Sequence, residues 1–66
     1  MFATRLKELR IEKGITQQQL ADVLKVDRTT VMKWENGERE TNFAMLVKIA
    51  DYFHESIDYL LGRENY

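Results

Sequence analysis

Four side chains between positions 28 and 33 have the types and the spacing that contact the edges of DNA bases. At about 100° per residue, Thr29, Met32 and Lys33 project from one side of a helix and Arg28 lies at its flank. Arginine and lysine donate to the acceptor edge of guanine in the major groove, and threonine bonds a base edge or touches a thymine methyl group. Arg28 is therefore the first candidate for a bidentate guanine contact, followed by Lys33 and Thr29, and Met32 suits a thymine methyl. Taken alone, such side chains are more often ordinary surface groups.

The opposite side of the same segment is apolar. Val31 and Trp34 are three residues apart, and Asp27 has a side chain that suits an N-cap. Asn36 and Gly37 are residues that end helices. The pattern predicts a helix over residues 28–36 that buries one face and exposes a polar, basic one, to which Asn36 also belongs.

A second short helix must hold that segment in place. Thr16 followed by Gln19 is a capping-box pattern, and Leu20, Ala21 and Leu24 supply a buried stripe. The small side chain of Ala21 stands where two helices would cross closely. With a three-residue corner at 25–27, residues 17–36 have the pattern of a helix-turn-helix unit.

Three further helices are predicted around this unit, and alternation typical of strands is absent. The first spans Phe2 to Lys13 and ends at Gly14; the fourth follows the N-cap Asn42; the fifth spans Ile57 to Leu61, with Ser56 as N-cap and Gly62 at its end. We expect an all-α, compact five-helix domain over residues 1–62 and a short tail at 63–66. The predicted core stripe of the fourth helix is Phe43, Leu46, Ile49, Ala50 and Phe53, whereas Met45, Tyr52 and Tyr59 fall off the core stripes.

The composition indicates a single small domain and argues against metal-binding, disulfide-bonded and membrane-spanning proteins. The chain has 66 residues, a net charge of −1, no cysteine and one histidine, His54, so we expect a single domain with no metal, disulfide or other cofactor. His54 is expected at the surface. No apolar run is long enough to span a membrane, and the start lacks the apolar core of a signal peptide. We therefore expect a soluble, cytoplasmic chain that begins at its own start codon, with no membrane partner and no small-molecule ligand.

The sequence resembles the phage-repressor and Cro-like helix-turn-helix family, also called the XRE family, over residues 5–62. That resemblance implies a lambda-repressor-like domain that binds double-stranded DNA, acts as a homodimer on a palindromic operator, and serves at the nucleoid as a transcriptional regulator, more specifically a repressor. The matching residues are Arg5, Leu6, Arg10, Gly14, Ile15, Thr16, Gln17, Leu20, Ala21, Trp34, Glu35, Asn36, Gly37, Lys48, Ile49, Ala50, Ile57, Leu60 and Leu61.

The resemblance also implies roles for individual residues. Gln17, with Gln18 beside it, stands where the family contacts phosphates and bases, and the free amides of a helix N-terminus add an anion site. A second phosphate clamp is implied at the backbone of Asn36 and Gly37, with Arg39, and at the start of the fourth helix near Phe43. Arg10 and Glu35 correspond to a partly buried structural ion pair. Ile57 and Tyr59 are candidate dimer contacts, and Tyr59 suits an ordinary surface position equally well.

Two features depart from the family pattern. Lys25 and His54 stand where relatives often carry glycine with positive φ, so each corner is either strained by about 1 kcal/mol or takes a different turn. Glu38 and Glu40 flank the expected phosphate clamp and weaken attraction to DNA. We therefore expect modest nonspecific affinity, with more reliance on base contacts.

The sequence also bears on functions other than DNA binding. A protein-interaction module, such as an antitoxin or a regulatory partner with weak DNA binding, is the alternative that stays open, and it predicts insensitivity to Arg28→Ala. An enzyme is disfavoured because no Ser/His/Asp set, phosphate-binding glycine loop or convergent carboxylate pair is visible. We accordingly assign no catalytic residue.

Overall fold

Five α-helices make up the fold in the computed structural model, which describes residues 1–63. They are α1 (Phe2–Lys13), α2 (Gln17–Leu24), α3 (Arg28–Glu35), α4 (Phe43–Phe53) and α5 (Ile57–Leu60). No strand occurs within residues 1–63. The predicted all-α, five-helix architecture is confirmed; the last three residues of the predicted tail lie outside the described part of the chain.

One apolar core joins all five helices. Every helix contributes at least one buried side chain, and the leucine, isoleucine and valine side chains among them each stabilise the fold by about 1.5–3 kcal/mol relative to exposure. The ring of Phe2 meets Trp34 edge-on, with 6.4 Å between ring centroids. The buried apolar residues are Leu6, Leu9, Leu20, Ala21, Leu24, Val31, Trp34, Ile49, Ala50 and Leu60.

Side-chain caps begin three of the helices. The side-chain oxygens of Thr16, Asn42 and Ser56 each accept a hydrogen bond from the backbone N–H three residues further on, at 3.0, 2.8 and 3.0 Å. Gln19 completes the capping box by accepting from the Thr16 N–H at 2.8 Å. Asp27 occupies the N-cap position of α3, but its side chain makes no capping hydrogen bond. The prediction was therefore right about the place and wrong about the side-chain bond.

The same backbone motif follows each helix. A residue with positive φ follows the last helical residue directly or one position later. Its N–H and the next N–H along the chain donate back to carbonyls of the last helical turn. Glycine takes this place at positions 14, 37 and 62, but Lys25 and His54 take it at φ 60° and 56°. Of the two expected outcomes for these corners, the left-handed one is found, and each carries the strain of a non-glycine residue there.

Several predicted details need correction. The third and fifth helices end one residue earlier than predicted, at Glu35 and Leu60. The residues that follow already form the turn whose N–H groups donate back to carbonyls of the last helical turn. Phe43 is not in the core but 72% exposed, since it is the first residue of α4. Conversely, three side chains predicted to lie off the core pack against it. Two belong to α4, which contacts both α2 and α5 and so buries a wider face than one stripe, and the third belongs to α5, which contacts both α1 and α4. These are Met45, Tyr52 and Tyr59.

Candidate nucleic-acid interface

The corner between α2 and α3 sets the direction of α3. Lys25 in its left-handed conformation lets the Val26 N–H donate to the Ala21 carbonyl at 3.0 Å, which turns the chain within three residues. Ala21 is fully buried, so the two helices approach closely at this point. From α4, the Lys48 ammonium donates to the Leu24 carbonyl at 3.1 Å and satisfies one of the free carbonyls at the end of α2. No local pattern in the sequence indicates this last contact, although Lys48 belongs to the matching residues.

The two sides of α3 differ as predicted. Val31 and Trp34 face the core, with exposures of 0% and 3%. Arg28 and Thr29 are exposed. Met32 and Lys33 are half-buried, so the stems of these side chains are partly covered by the domain. The exposed side of α3 is thus polar, and its two basic side chains stand on an element that the core holds rigidly.

A hydrogen-bonded network joins α1, α2 and the end of α3. The Arg10 guanidinium donates to both carboxylate oxygens of Glu35, at 2.7 and 3.0 Å, and to the Ile15 carbonyl at 3.0 Å. The Gln17 amide donates to the same carboxylate at 3.1 Å. The hydrogen bond to Glu35, aided by its charge, raises the pKa of Arg10 despite partial burial. The carboxylate of Glu35 is therefore buried and neutralised, and each of its two oxygens accepts at least one hydrogen bond.

The Gln17 bond was missed by sequence reasoning, which treated this side chain only as a DNA contact. This second partner of Glu35 is not visible in the sequence, because the bond depends on how the start of α2 approaches the end of α3. The bond restrains the Gln17 amide next to the first free N–H groups of α2.

The other two amide side chains of the expected interface are also bonded to carboxylates. Gln18 donates to Asp22 one turn further along α2, at 2.9 Å, and Asn36 donates to Glu38 at 3.1 Å. Every amide side chain of the expected interface therefore donates to an acidic group of the protein.

The loop from residue 36 to residue 42 connects α3 to α4. Gly37 has φ 76°, and the Glu38 N–H donates back to the Lys33 carbonyl at 2.9 Å, which leads the chain away from the helix axis. Arg39 is exposed in this loop, and Phe43 is exposed where α4 begins.

The candidate dimer contacts lie elsewhere in the fold. Ile57 and Tyr59 belong to α5 and are half-buried against the core. The Arg5 guanidinium of α1 lies 4.3 Å from the centre of the Tyr59 ring. Tyr59 thus packs within its own chain, on elements other than the α2–α3 unit. His54 is exposed, as expected.

Residues 1–63 contain no group of three or more acidic, histidine or cysteine side chains placed to hold a metal ion. None of the five helices has the length and apolar composition needed to cross a membrane.

Comparison with known proteins places this geometry in a family. A family model described as helix-turn-helix matches residues 6–60. The transcriptional activator BcrR of Enterococcus faecalis is 43% identical over 63 residues, which cover 96% of this chain and 31% of BcrR. The chain spans between about a third and just over half of the curated relatives it matches.

Solved structures agree over nearly the whole chain. A transcriptional regulator from Listeria innocua superposes with a TM-score of 0.91 and 36% identity, covering all of this chain and 62% of that one. The P22 c2 repressor in complex with a synthetic operator superposes with a TM-score of 0.89 and 26% identity, covering 97% of each chain.

Proposed function

Because the chain belongs to the helix-turn-helix family, we propose that it is a sequence-specific, DNA-binding transcriptional regulator that places α3 in the major groove. We assign residues 1–62 to the DNA-binding domain and 63–66 to a tail. The role is one of binding, without catalysis or cofactor, and it is exerted in the cytoplasm at the nucleoid.

The observation that carries the proposal is the division of α3 into two faces. Val31 and Trp34 anchor the helix in the core, so the opposite face is presented at a fixed angle. Arg28, Thr29 and Lys33 on that face supply the donors that distinguish guanine from other bases, and Met32 supplies an apolar contact. A helix of this diameter fits the major groove.

Phosphate contacts flank the helix in this proposal. The first set is the start of α2, with Gln17 and Gln18, where free backbone N–H groups point outward. The second set follows α3 and comprises Asn36, Gly37, Arg39 and the backbone near Phe43. Such contacts fix the register of the protein on the duplex, and the α3 side chains supply the specificity.

We further propose that the protein acts as a homodimer on a palindromic operator and that it represses transcription. A dimer with two-fold symmetry presents two α3 helices to half-sites that lie about one turn of the DNA helix apart. Repression is supported by the likeness to the P22 c2 repressor bound to an operator. Ile57 and Tyr59 are the proposed dimer contacts, on elements outside the α2–α3 unit.

The test is a selection from a random double-stranded DNA library at near-physiological salt. The enriched sequence is then titrated with the wild type and with Arg28→Ala. We expect a palindrome that Arg28→Ala binds more weakly by about 1–3 kcal/mol, with altered preference at one position of each half-site. Because Arg28 is exposed, helical circular dichroism serves as the control for folding.

Two results would contradict the proposal. Equal loss of affinity for enriched and unrelated duplexes would remove Arg28 from base recognition. No enrichment with a folded protein would favour the protein-interaction module. Repression is tested separately, by placing the enriched sequence upstream of a reporter gene in cells with and without the protein; a rise in expression with the protein would indicate an activator.

A further inference from the structure

The carboxylates that accept hydrogen bonds from the interface amides differ in burial and in whether a cation neutralises them. Glu35, which holds Gln17, has a side chain only 2% exposed and is neutralised by Arg10. Its charge is compensated within the protein, so it orients Gln17 without presenting a negative charge to a phosphate. Glu38, which holds Asn36, is exposed and forms no ion pair with any residue between positions 1 and 63.

The Glu38 carboxylate, which lacks an ion-pair partner within residues 1–63, lies in the loop that is proposed to contact a phosphate. One of its oxygens lies 3.1 Å from the Asn36 amide nitrogen, where α3 ends and the loop begins. A phosphate oxygen that approaches this amide is an anionic acceptor of the same kind. The two acceptors compete for the amide hydrogens, and their like charges repel each other.

We propose that Glu38 limits the DNA affinity of this protein by holding the Asn36 side chain in the free state, an inference that rests on the proposed function. Binding then requires Asn36 to leave Glu38, or Glu38 to turn away from the phosphate. Glu38 is thus a positioning residue that acts through Asn36. Base preference, which depends on α3, is unaffected by it.

The experiment is a double-mutant cycle on the enriched duplex, measured by fluorescence anisotropy at near-physiological salt. The proteins are the wild type, Glu38→Ala, Asn36→Ala and the double variant. We expect Glu38→Ala to bind about three to ten times more tightly than the wild type, the effect of freeing one surface hydrogen-bond donor near a phosphate. In the Asn36→Ala background the same substitution is expected to change affinity less than about twofold, because the donor is gone and only the screened repulsion between an exposed carboxylate and a phosphate is relieved.

Two control variants separate the hydrogen bond from the charge. Glu40→Ala removes the same charge two residues further along the loop, and its effect is expected to be equal with and without Asn36. Glu38→Gln removes the charge but keeps an acceptor oxygen for the Asn36 amide, so it is expected to fall between the wild type and Glu38→Ala. Thermal unfolding checks that all variants remain folded.

The outcomes decide between the inference and the proposed function. A gain that depends on Asn36 supports the inference. No gain from Glu38→Ala, or a gain undiminished without Asn36, overturns it while the wild type still binds DNA. If neither the wild type nor Glu38→Ala binds any enriched duplex, the proposed function fails and this inference fails with it.

Discussion

Gln17 and Glu35 are 18 residues apart in the chain, yet the Gln17 amide nitrogen lies 3.1 Å from a carboxylate oxygen of Glu35. Arg10 bonds both oxygens of that carboxylate from α1. One acidic side chain therefore ties together the first three helices, and it does so beside the proposed DNA contacts. The geometry of the interface and the stability of the fold depend on the same group.

Loss of this ion pair is expected to destabilise the domain. Arg10→Ala leaves the Glu35 carboxylate buried without its cation, and we expect the free energy of unfolding to fall by about 3 kcal/mol. Urea unfolding followed by circular dichroism measures the change. Lys7→Ala, at an exposed position of the same helix, is the matched control and is expected to change it by less than about 0.5 kcal/mol.

Replacing both Arg10 and Glu35 tests whether the stability lost in Arg10→Ala comes from a carboxylate left buried without its cation. The double variant Arg10→Met with Glu35→Leu leaves no buried charge, so it is expected to be more stable than Arg10→Ala alone. A double variant less stable than Arg10→Ala would contradict the assignment of that loss to a stranded carboxylate.

Glycine at position 25 is expected to stabilise the protein. Lys25 has φ 60°, a conformation that costs about 1 kcal/mol in a residue with a Cβ atom, and its replacement by glycine relieves that strain. Lys25→Gly is therefore expected to raise the midpoint of thermal unfolding. Lys7→Gly, inside α1, is expected to lower it by a similar free energy, since glycine is unfavourable within a helix. Equal effects of the two substitutions would disprove strain at Lys25.

Two aromatic residues provide a test of the core. Trp34 is 3% exposed and Phe43 is 72% exposed, so truncation leaves a cavity only at Trp34. We expect Trp34→Ala to cost about 3–5 kcal/mol, enough to unfold much of a domain this small, and Phe43→Ala to cost less than about 0.5 kcal/mol. Circular dichroism at increasing temperature distinguishes the two. A folded Trp34→Ala protein with unchanged melting would refute the core assignment.

Local signals in the sequence were sufficient for most of the fold. Helix starts at Thr16, Asn42 and Ser56 were predictable because a capping side chain bonds an amide only three residues away. Helix ends were predictable to within one residue where glycine permits positive φ, and the resemblance pointed to Lys25 and His54 as the corresponding corners. Each of these features depends on a few consecutive residues.

Several features that depend on two elements meeting were not predictable, although the resemblance supplied the Arg10–Glu35 ion pair. Phe43 fits the periodic stripe of α4, but whether a stripe position is covered depends on what packs against that turn. The Lys48 contact with the Leu24 carbonyl requires the distance between α2 and α4, which no local pattern contains. The Asn36–Glu38 bond joins close neighbours, yet the turn at Gly37 decides whether the two side chains face each other.

Arg39 is expected to contribute charge without base preference. It is exposed in the loop proposed to contact phosphate, so Arg39→Ala is expected to weaken binding to enriched and unrelated duplexes by the same factor. Each lost phosphate contact also lowers the slope of log affinity against log salt, here by about 1. Titrations at several salt concentrations measure both quantities, with Lys7→Ala on α1 as the control. A loss confined to the enriched duplex would move Arg39 from phosphate contact to base recognition.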